Sequence, residues 1–507
     1  MRKILRISLL AAFIGMTITS CEDATDIIQE SELSEELAFQ TVDDLRGGLI
    51  GVYAAYNPDS GSNGSGDQIL FNDLFTDNLK RGISSSGQGN QTYNFILQPG
   101  SSFPTTLWNG RYVVINFCNR ILRAWDRVYP TLETEEEITD ANEIRAQLLA
   151  MRAFCHFELI EYFATDYQDL AAPGVIIMDF VPELDQVFPR NSVGEVFEFI
   201  NNDLAEAASL MGGVFDTASK YSEAENEFKF YINQDVITAM RARVSLFEGD
   251  YSSAFNFADA LVGTGANYAM SNDEDLVSLY VEDNLAVSEL IFALSRRQGD
   301  NTITSLWSAN GVGVNGSPFF EVSNGLLNVL PATDVRRLIM VSSDFVVEGV
   351  NSPNNILPQG KYLGATSDGA MLNDVKVFRA TEMVLIRAEA QARLGNLSAA
   401  AQAIKSIRDI RTNGSNGNTP LPSYANLNAA LQDILLERRK EFAFEGHRYL
   451  DLKRIGTEIG VGINRESVDC ASFSADCDLA PTSYKFTLPI PNSEISANPT
   501  IAQNPGY

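Results

Sequence analysis

Histidine and cysteine are scarce in this sequence. Its 507 residues contain two histidines, His156 and His447, and five cysteines, which leaves little material for histidine-based catalysis or a zinc site. Basic residues are outnumbered, 37 Lys plus Arg against 66 Asp plus Glu, for a net charge of −29. A phosphate backbone needs a basic surface, so this balance argues strongly against a nucleic-acid partner. It argues more weakly against polyanionic ligands, because a local patch can oppose the mean. There is no G-x-S-x-G, no H-E-x-x-H and no phosphate-binding loop. Beyond residue 20 no run reaches the roughly 18 apolar residues of a membrane-spanning helix. What the chain does have is a 45% apolar content, too high for a disordered chain and enough for a large core.

The N-terminus reads as an address. Arg2, Lys3 and Arg6 precede an apolar run from Ile7 to Ile18, too short for a permanent span. Thr19, Ser20 and Cys21 follow, and small residues before a cysteine resemble the lipobox of bacterial lipoproteins, in which the cysteine is acylated. Glu22 and Asp23 resemble the surface-export tag of Bacteroidetes lipoproteins. The expectation is a signal peptide over 1–20, lipidation at Cys21, a tether over 21–35 and one domain over 36–507.

Helical periodicity dominates that domain. Apolar residues recur at three- and four-residue spacing over 40–57, 104–128, 141–164, 193–211, 232–248, 250–262, 377–395, 397–412 and 426–446. Loops rich in Gly, Ser and Asn separate them at 58–67, 82–102, 212–226, 298–325 and 351–372. Ala242, Gly249 and Ala254 form an A-x6-G-x4-A pattern that Ala388, Gly395 and Ala400 repeat. Small residues let two antiparallel helices approach and glycine supplies the turn, which is the physical content of a tetratricopeptide repeat. The expected fold is mostly α, with tetratricopeptide-like helix pairs forming a right-handed superhelix, long loops and few short strands.

Four blocks carry a family resemblance: RAQLLAMRAFCHFELIEYF (145–163), FRATEMVLIRAEAQARLGN (378–396), LLERRKEFAFEGHRYLDLKRIG (435–456) and KFTLPIPNSEISANPTIAQNPGY (485–507). In order and spacing they resemble the SusD/RagB family of outer-membrane glycan-binding lipoproteins. His156 departs from the family's usual aromatic residue, and ATDYQDLAAPG replaces its usual Gly-Asp-x-Pro. The resemblance implies a non-catalytic, cofactor-free protein that captures an oligo- or polysaccharide. It would deliver the ligand to a SusC-like TonB-dependent outer-membrane transporter. Peptide binding of the RagB type, a scaffold without a ligand of its own, and a hydrolase are the rival readings. The mean charge tilts the reading towards a neutral glycan.

The charges of the third block read as packing devices. Glu437, Glu441 and Glu445 are spaced four apart, with Arg438 and Arg448 nearby, and Glu437 could pair with Lys440 or Arg387. Asp451 and Arg454 share a face, and His447 reads as a capping or packing residue. Asp273, Glu274, Asp275, Glu282 and Asp283 lack EF-hand spacing and read as a solvated acidic face. Cys470 and Cys477 are disulfide candidates. Cys118 and Cys155 read as core residues, with a bridge between them left open.

A sugar presents apolar C–H faces and hydroxyl edges, so its site needs exposed aromatic rings beside amide, acid or guanidinium groups. Trp108 and Trp125 fall on helical patterns with Tyr112 and Phe117 and read as core. Trp307 lies in a Gly- and Asn-rich loop followed by Phe319 and Phe320, and a second loop, 73–95, supplies Asp77, Asn78, Arg81 and Tyr93. The family resemblance gives that second loop a ligand-contacting role by position only. The expected site stacks sugar rings on Trp307 and Tyr93, with Phe319 beside them. Asn78, Arg81 and Asn301, with Asp77, would bond to hydroxyls. No metal is expected.

Overall fold

The computed structural model describes residues 34–56, 66–211, 226–297, 299–300, 302–311, 313–362, 365–366, 369–370, 372–412, 417–471 and 476–507. The leader, Cys21 and Asn301 lie outside the described residues. Eleven helices frame the fold: α1 (Val42–Ala55), α2 (Gly66–Leu74), α3 (Ser102–Val128), α4 (Glu135–Phe163), α5 (Val193–Leu210), α6 (Gln234–Glu248), α7 (Tyr251–Val262), α8 (Ala380–Arg393), α9 (Leu397–Arg411), α10 (Leu427–Phe442) and α11 (Arg448–Ile459). Two short antiparallel pairs matter for the site. They join β1 (Leu79–Arg81) to β3 (Phe320–Val322), and β2 (Leu290–Leu294) to β4 (Val375–Arg379). The first part of the expected helix over 377–395 is thus strand, where the alternating VKVFR run pairs with β2.

Local sequence starts the helices. Thr41 with Asp44, Thr134 with Glu137 and Ser192 with Glu195 form reciprocal capping boxes at α1, α4 and α5. The small-residue pattern marks two helix hairpins. Gly249 (φ +90°) joins α6 to α7 and Gly395 (φ +87°) joins α8 to α9, a left-handed conformation that costs glycine little. Ala242, Ala254, Ala388 and Ala400 are fully buried at the close approaches. Helix α7 packs on both α6 and α8, so the two hairpins stack.

Helix α4 is the spine. It is flanked by α3 and α5, and every residue from Ala146 to Ala164 is buried. Two of its buried charges are paired. Arg152 forms a fork with Asp203 (2.8 Å), and Glu158 is ion-paired with Arg111 (2.6 Å). His156 accepts the Met178 N–H through Nε2 (3.1 Å) while its Nδ1 faces the Arg152 carbonyl (2.8 Å). Burial holds this imidazole neutral, with its pKa down at about 3. The histidine that departs from the family pattern therefore ties the 177–188 connection to the spine.

The last carbonyls of α4 lack helical partners, and later parts of the chain supply them. Lys453 donates to the carbonyls of Glu161 (2.8 Å) and Tyr162 (3.0 Å), and the Leu488 N–H also reaches Tyr162 (3.0 Å). Arg190 and Asn504 donate to the Phe163 carbonyl (3.1 and 2.9 Å). The proline-rich tail, through Leu488 and Asn504, thus supplies part of a helix cap assembled from a distance. Cys470 and Cys477 are disulfide-bonded, with Cα atoms 5.3 Å apart, while Cys118 and Cys155 are free and buried.

The charges of the third block sit inside the protein. Glu441 accepts from Arg411 (2.9 Å), Arg379 (3.0 Å) and Arg336 (3.2 Å). Glu437 pairs with Arg336 (2.7 Å), Arg408 (2.9 Å) and Lys440 (3.6 Å). Arg387, the other partner expected for it, instead meets Asp259 (3.0 Å). Arg438 and Arg454 both bind Asp451 (2.8 and 3.0 Å). His447 stacks on Phe442 with ring centroids 4.6 Å apart. Asp283 is not part of a solvated face. It turns inward to pair with Lys376 and to accept the Asp374 N–H (2.8 Å).

Candidate functional site

The β1–β3 pair brings together the two loops from which the site residues were expected. Leu79 faces Val322 and Arg81 faces Phe320, and the ladder continues as Gly82 N–H to Phe319 O (3.0 Å) and Ser84 N–H to Pro318 O (3.0 Å). A cavity of about 330 Å³ lies between them, lined by Gln88, Thr92, Ser102, Ser305, Leu306 and Phe319 among others.

The structure corrects the expected roles of several side chains. Trp307 is only 1% exposed and packs edge-on against Phe444 at 5.5 Å. Its carbonyl accepts the N–H groups of Phe319 (3.0 Å) and Phe320 (3.2 Å). Trp307 plugs the loop onto the helices and offers no ring face to a sugar. Tyr93 is fully buried beneath the Arg465 guanidinium, 3.7 Å from its ring centroid, and its face is likewise taken. Asn78 donates to Asp73 (2.7 Å) and accepts from Arg439 (3.0 Å). Asp77 is clasped by Arg448 (2.8 and 2.9 Å) and Arg439 (3.3 Å). These polar groups spend their hydrogen-bonding capacity on the fold. Arg81 is exposed and donates to the Ser85 carbonyl (3.0 Å), and Phe319 is half-buried at the cavity wall. Trp108 is buried and Trp125 half-buried, as their helical positions suggested, whereas Phe117 is exposed.

Burial alone would raise the Asp77 carboxyl, but Arg439 and Arg448 hold it down at about 2. A carboxylate depressed in this way stabilises the fold above its unfolded pKa near 4 and loses that contribution as pH falls through about 2. Asp77→Asn is therefore expected to be destabilised by about 2 kcal/mol at pH 7. The gap to the parent should narrow between about pH 4 and pH 2 in urea titrations; a gap constant with pH would contradict the ion-pair account. Asp73 behaves oppositely: burial pushes it up to about 7 despite its bonds from Asn78 and the Phe444 N–H.

A second cleft, of about 340 Å³, carries the chemistry the loops were expected to carry. It opens between α1, the 227–231 segment and residues 294–297 with Asp300, and sets Tyr53, Phe230 and Tyr231 beside Glu227, Arg296, Arg297 and Asp300. Tyr53 is fixed by donating to Gln147 (2.7 Å) and accepting the Ile232 N–H (2.8 Å). Tyr231 meets it edge-on at 5.5 Å and remains half-exposed. Lys229 ties the segment down by donating to the carbonyls of Leu285 (2.6 Å) and Val287 (3.0 Å). The Arg297 N–H binds Asp300 (2.7 Å) and the Arg296 N–H binds Asp374 (2.7 Å), which sets the strand end. Sequence reasoning missed this site. The available signal was EFKFY at 227–231, three aromatics interleaved with charge shortly before the Asn233 helix cap. Among the described residues no group of acidic, histidine or cysteine side chains could hold a metal ion.

Two family models match separate parts of the chain: the SusD family over residues 353–507, and a family described as starch-binding associating with outer membrane over residues 29–234. The chain belongs to the SusD/RagB family. A SusD-like protein, P2, from Formosa agariphila is 24% identical over 539 aligned positions, covering 97% of this chain and 98% of that one. A second, P38, from the same organism is 21% identical over 88% of this chain and 90% of its own length. A putative sugar binding protein from Bacteroides vulgatus superposes with a TM-score of 0.75 at 24% identity, covering 93% of this chain and 99% of its own. A SusD superfamily protein from Bacteroides thetaiotaomicron gives 0.73 at 23% identity, with 92% and 100% covered. At these identities the superpositions establish a shared SusD fold, whose helical body matches the stacked hairpins described above.

Proposed function

We propose that this chain is a surface lipoprotein, anchored through Cys21, that binds a neutral oligo- or polysaccharide. It would hand the glycan unaltered to a SusC-like TonB-dependent transporter, without breaking a bond. The cleft at Tyr231 carries the proposal. It sets aromatic surface beside two arginines and two carboxylates, the combination that suits pyranose faces and hydroxyls. The two signs of charge balance there, which favours an uncharged sugar. The Phe319 cavity, with Arg81 at the strand end beside it, is the second contact zone. Kinship with proteins described as starch-binding or sugar-binding supports the ligand class.

Tyr231→Ala is expected to weaken glycan retention in affinity electrophoresis at least about tenfold, about 1.4 kcal/mol, with the melting temperature little changed. Retention equal to the parent would remove Tyr231 from the site. Binding competed by peptide pools and by no glycan would replace the glycan reading with a peptide one.

A further inference from the structure

The exposed face of α3 carries an arrangement that neither cleft uses. Val113, Phe117, Arg120, Arg123 and Arg127 recur at three- and four-residue spacing and are all exposed, so they form one stripe. The stripe is apolar at one end and basic at the other. Phe117, which helical spacing suggested for the core, is 41% exposed. The 177–188 connection docks beside it, with Asn119 Nδ2 donating to the carbonyls of Met178 (3.0 Å) and Phe180 (2.9 Å). That connection adds exposed Phe180 and Leu184, the latter fully projecting at 109%. Exposed apolar side chains gathered in this way mark an interaction surface.

The position of the N-terminal segment says what the surface meets. A one-turn helix, Glu35–Ala38, lies across the basic end of the stripe. Glu35 pairs with Arg120 (3.1 Å) and Arg123 (2.6 Å), and Arg127 donates to the Phe39 carbonyl (3.0 Å). Leu37 on that turn is 59% exposed. The chain thus runs back towards Cys21 from this face. Ser34 and Cys21 are separated by 13 residues, about 45 Å of fully extended chain at most. We propose that this face, with Leu37, Val113, Phe117, Phe180 and Leu184 beside Arg120 and Arg123, rests in the headgroup layer of the lipid surface to which the chain is tethered. The proposal rests on the lipoprotein reading of Cys21. The apolar side chains enter the headgroup–acyl boundary, and the guanidinium groups, half-exposed although Glu35, Glu36 and Glu183 lie near them, meet lipid phosphate. Tethering keeps the face at high local concentration, so a weak contact suffices to hold the body in one orientation.

The test uses the full lipidated chain in vesicles of phosphatidylethanolamine and phosphatidylglycerol, with no other protein. Phe117→Cys and, separately, Leu184→Cys receive a nitroxide label, with Leu394→Cys at the far end of α8 as an exposed reference. The native free thiols are buried and the remaining described pair is bonded, so the introduced thiol is the one labelled. Collision with dissolved oxygen is compared with collision with a water-soluble nickel chelate. The labels at 117 and 184 are expected to favour oxygen several-fold over the label at 394. Vesicle flotation with all three labels equally open to the chelate would overturn the lipid contact while keeping the tether. Failure to float would remove the tether and the proposal with it. Shielding that appears only after outer-membrane proteins are added would assign the face to a protein instead.

Discussion

Glu441→Ala is expected to cost about 3–5 kcal/mol of stability in urea unfolding, among the largest effects of any single substitution here. The residue lies where three buried arginines converge. Arg411 comes from the end of α9, Arg379 from the end of β4 and Arg336 from the segment beside Asp334. Burial would raise the Glu441 carboxyl, but these three guanidinium groups hold it well below the usual carboxylate range. Glu289, just before β2, shares Arg379 and Arg411, and Glu445 also pairs with Arg379 (2.8 Å), so truncating Glu441 leaves the three buried guanidinium groups one carboxylate short, with Arg336 keeping only Asp334 and Glu437. The cost comes from unpaired buried charge, so it says nothing about whether an apolar cluster of equal volume would be more stable. Glu441→Gln, which keeps the shape and loses the charge, should fall between parent and alanine. A loss below about 1 kcal/mol for the alanine variant would mean that these pairs are solvated.

Trp307→Ala is expected to destabilise by about 3–5 kcal/mol, as loss of a fully buried indole does. Glycan affinity of the folded fraction should be preserved. The indole fills the space over Phe444, a bulky residue held at φ +69°, and its backbone anchors Phe319 and the start of β3. Removing it opens a cavity beneath the loop and leaves the Tyr231 cleft intact. The opposite outcome, unchanged stability with lost affinity, would make Trp307 a sugar platform and this packing account wrong.

The sequence made the scaffold readable where one residue type has one physical use. The alanines and glycines of the two hairpins predict close helix approach with a tight turn, and both are present. It misled where composition stood in for geometry. Gly and Asn around Trp307 suggested a surface loop, yet three-residue strands, too short to show a period of two, fold that loop onto the helices. For Glu437 the sequence suggests Lys440 or a distant arginine such as Arg387; Lys440 does reach it, but the distant arginine is Arg336, from a segment with no helical pattern. Of the Tyr231 cleft only the EFKFY run was visible, because Tyr53, Tyr231 and Arg296 are distant in the chain and meet only in the fold. Phe117 obeyed helical spacing and still faces outward, since its position on α3 falls on the one stripe the neighbouring helices leave uncovered.

The central claim is that the protein holds a glycan and leaves it intact. Calorimetric titration of the chain freed of residues 1–21 with defined neutral oligosaccharides, followed by chromatography of the recovered sugar, tests it most directly. The account predicts saturable heat with at least one oligosaccharide, loss of that heat in Tyr231→Ala, and recovery of the sugar at its original length. Shortened products, or no heat with any glycan, would contradict it.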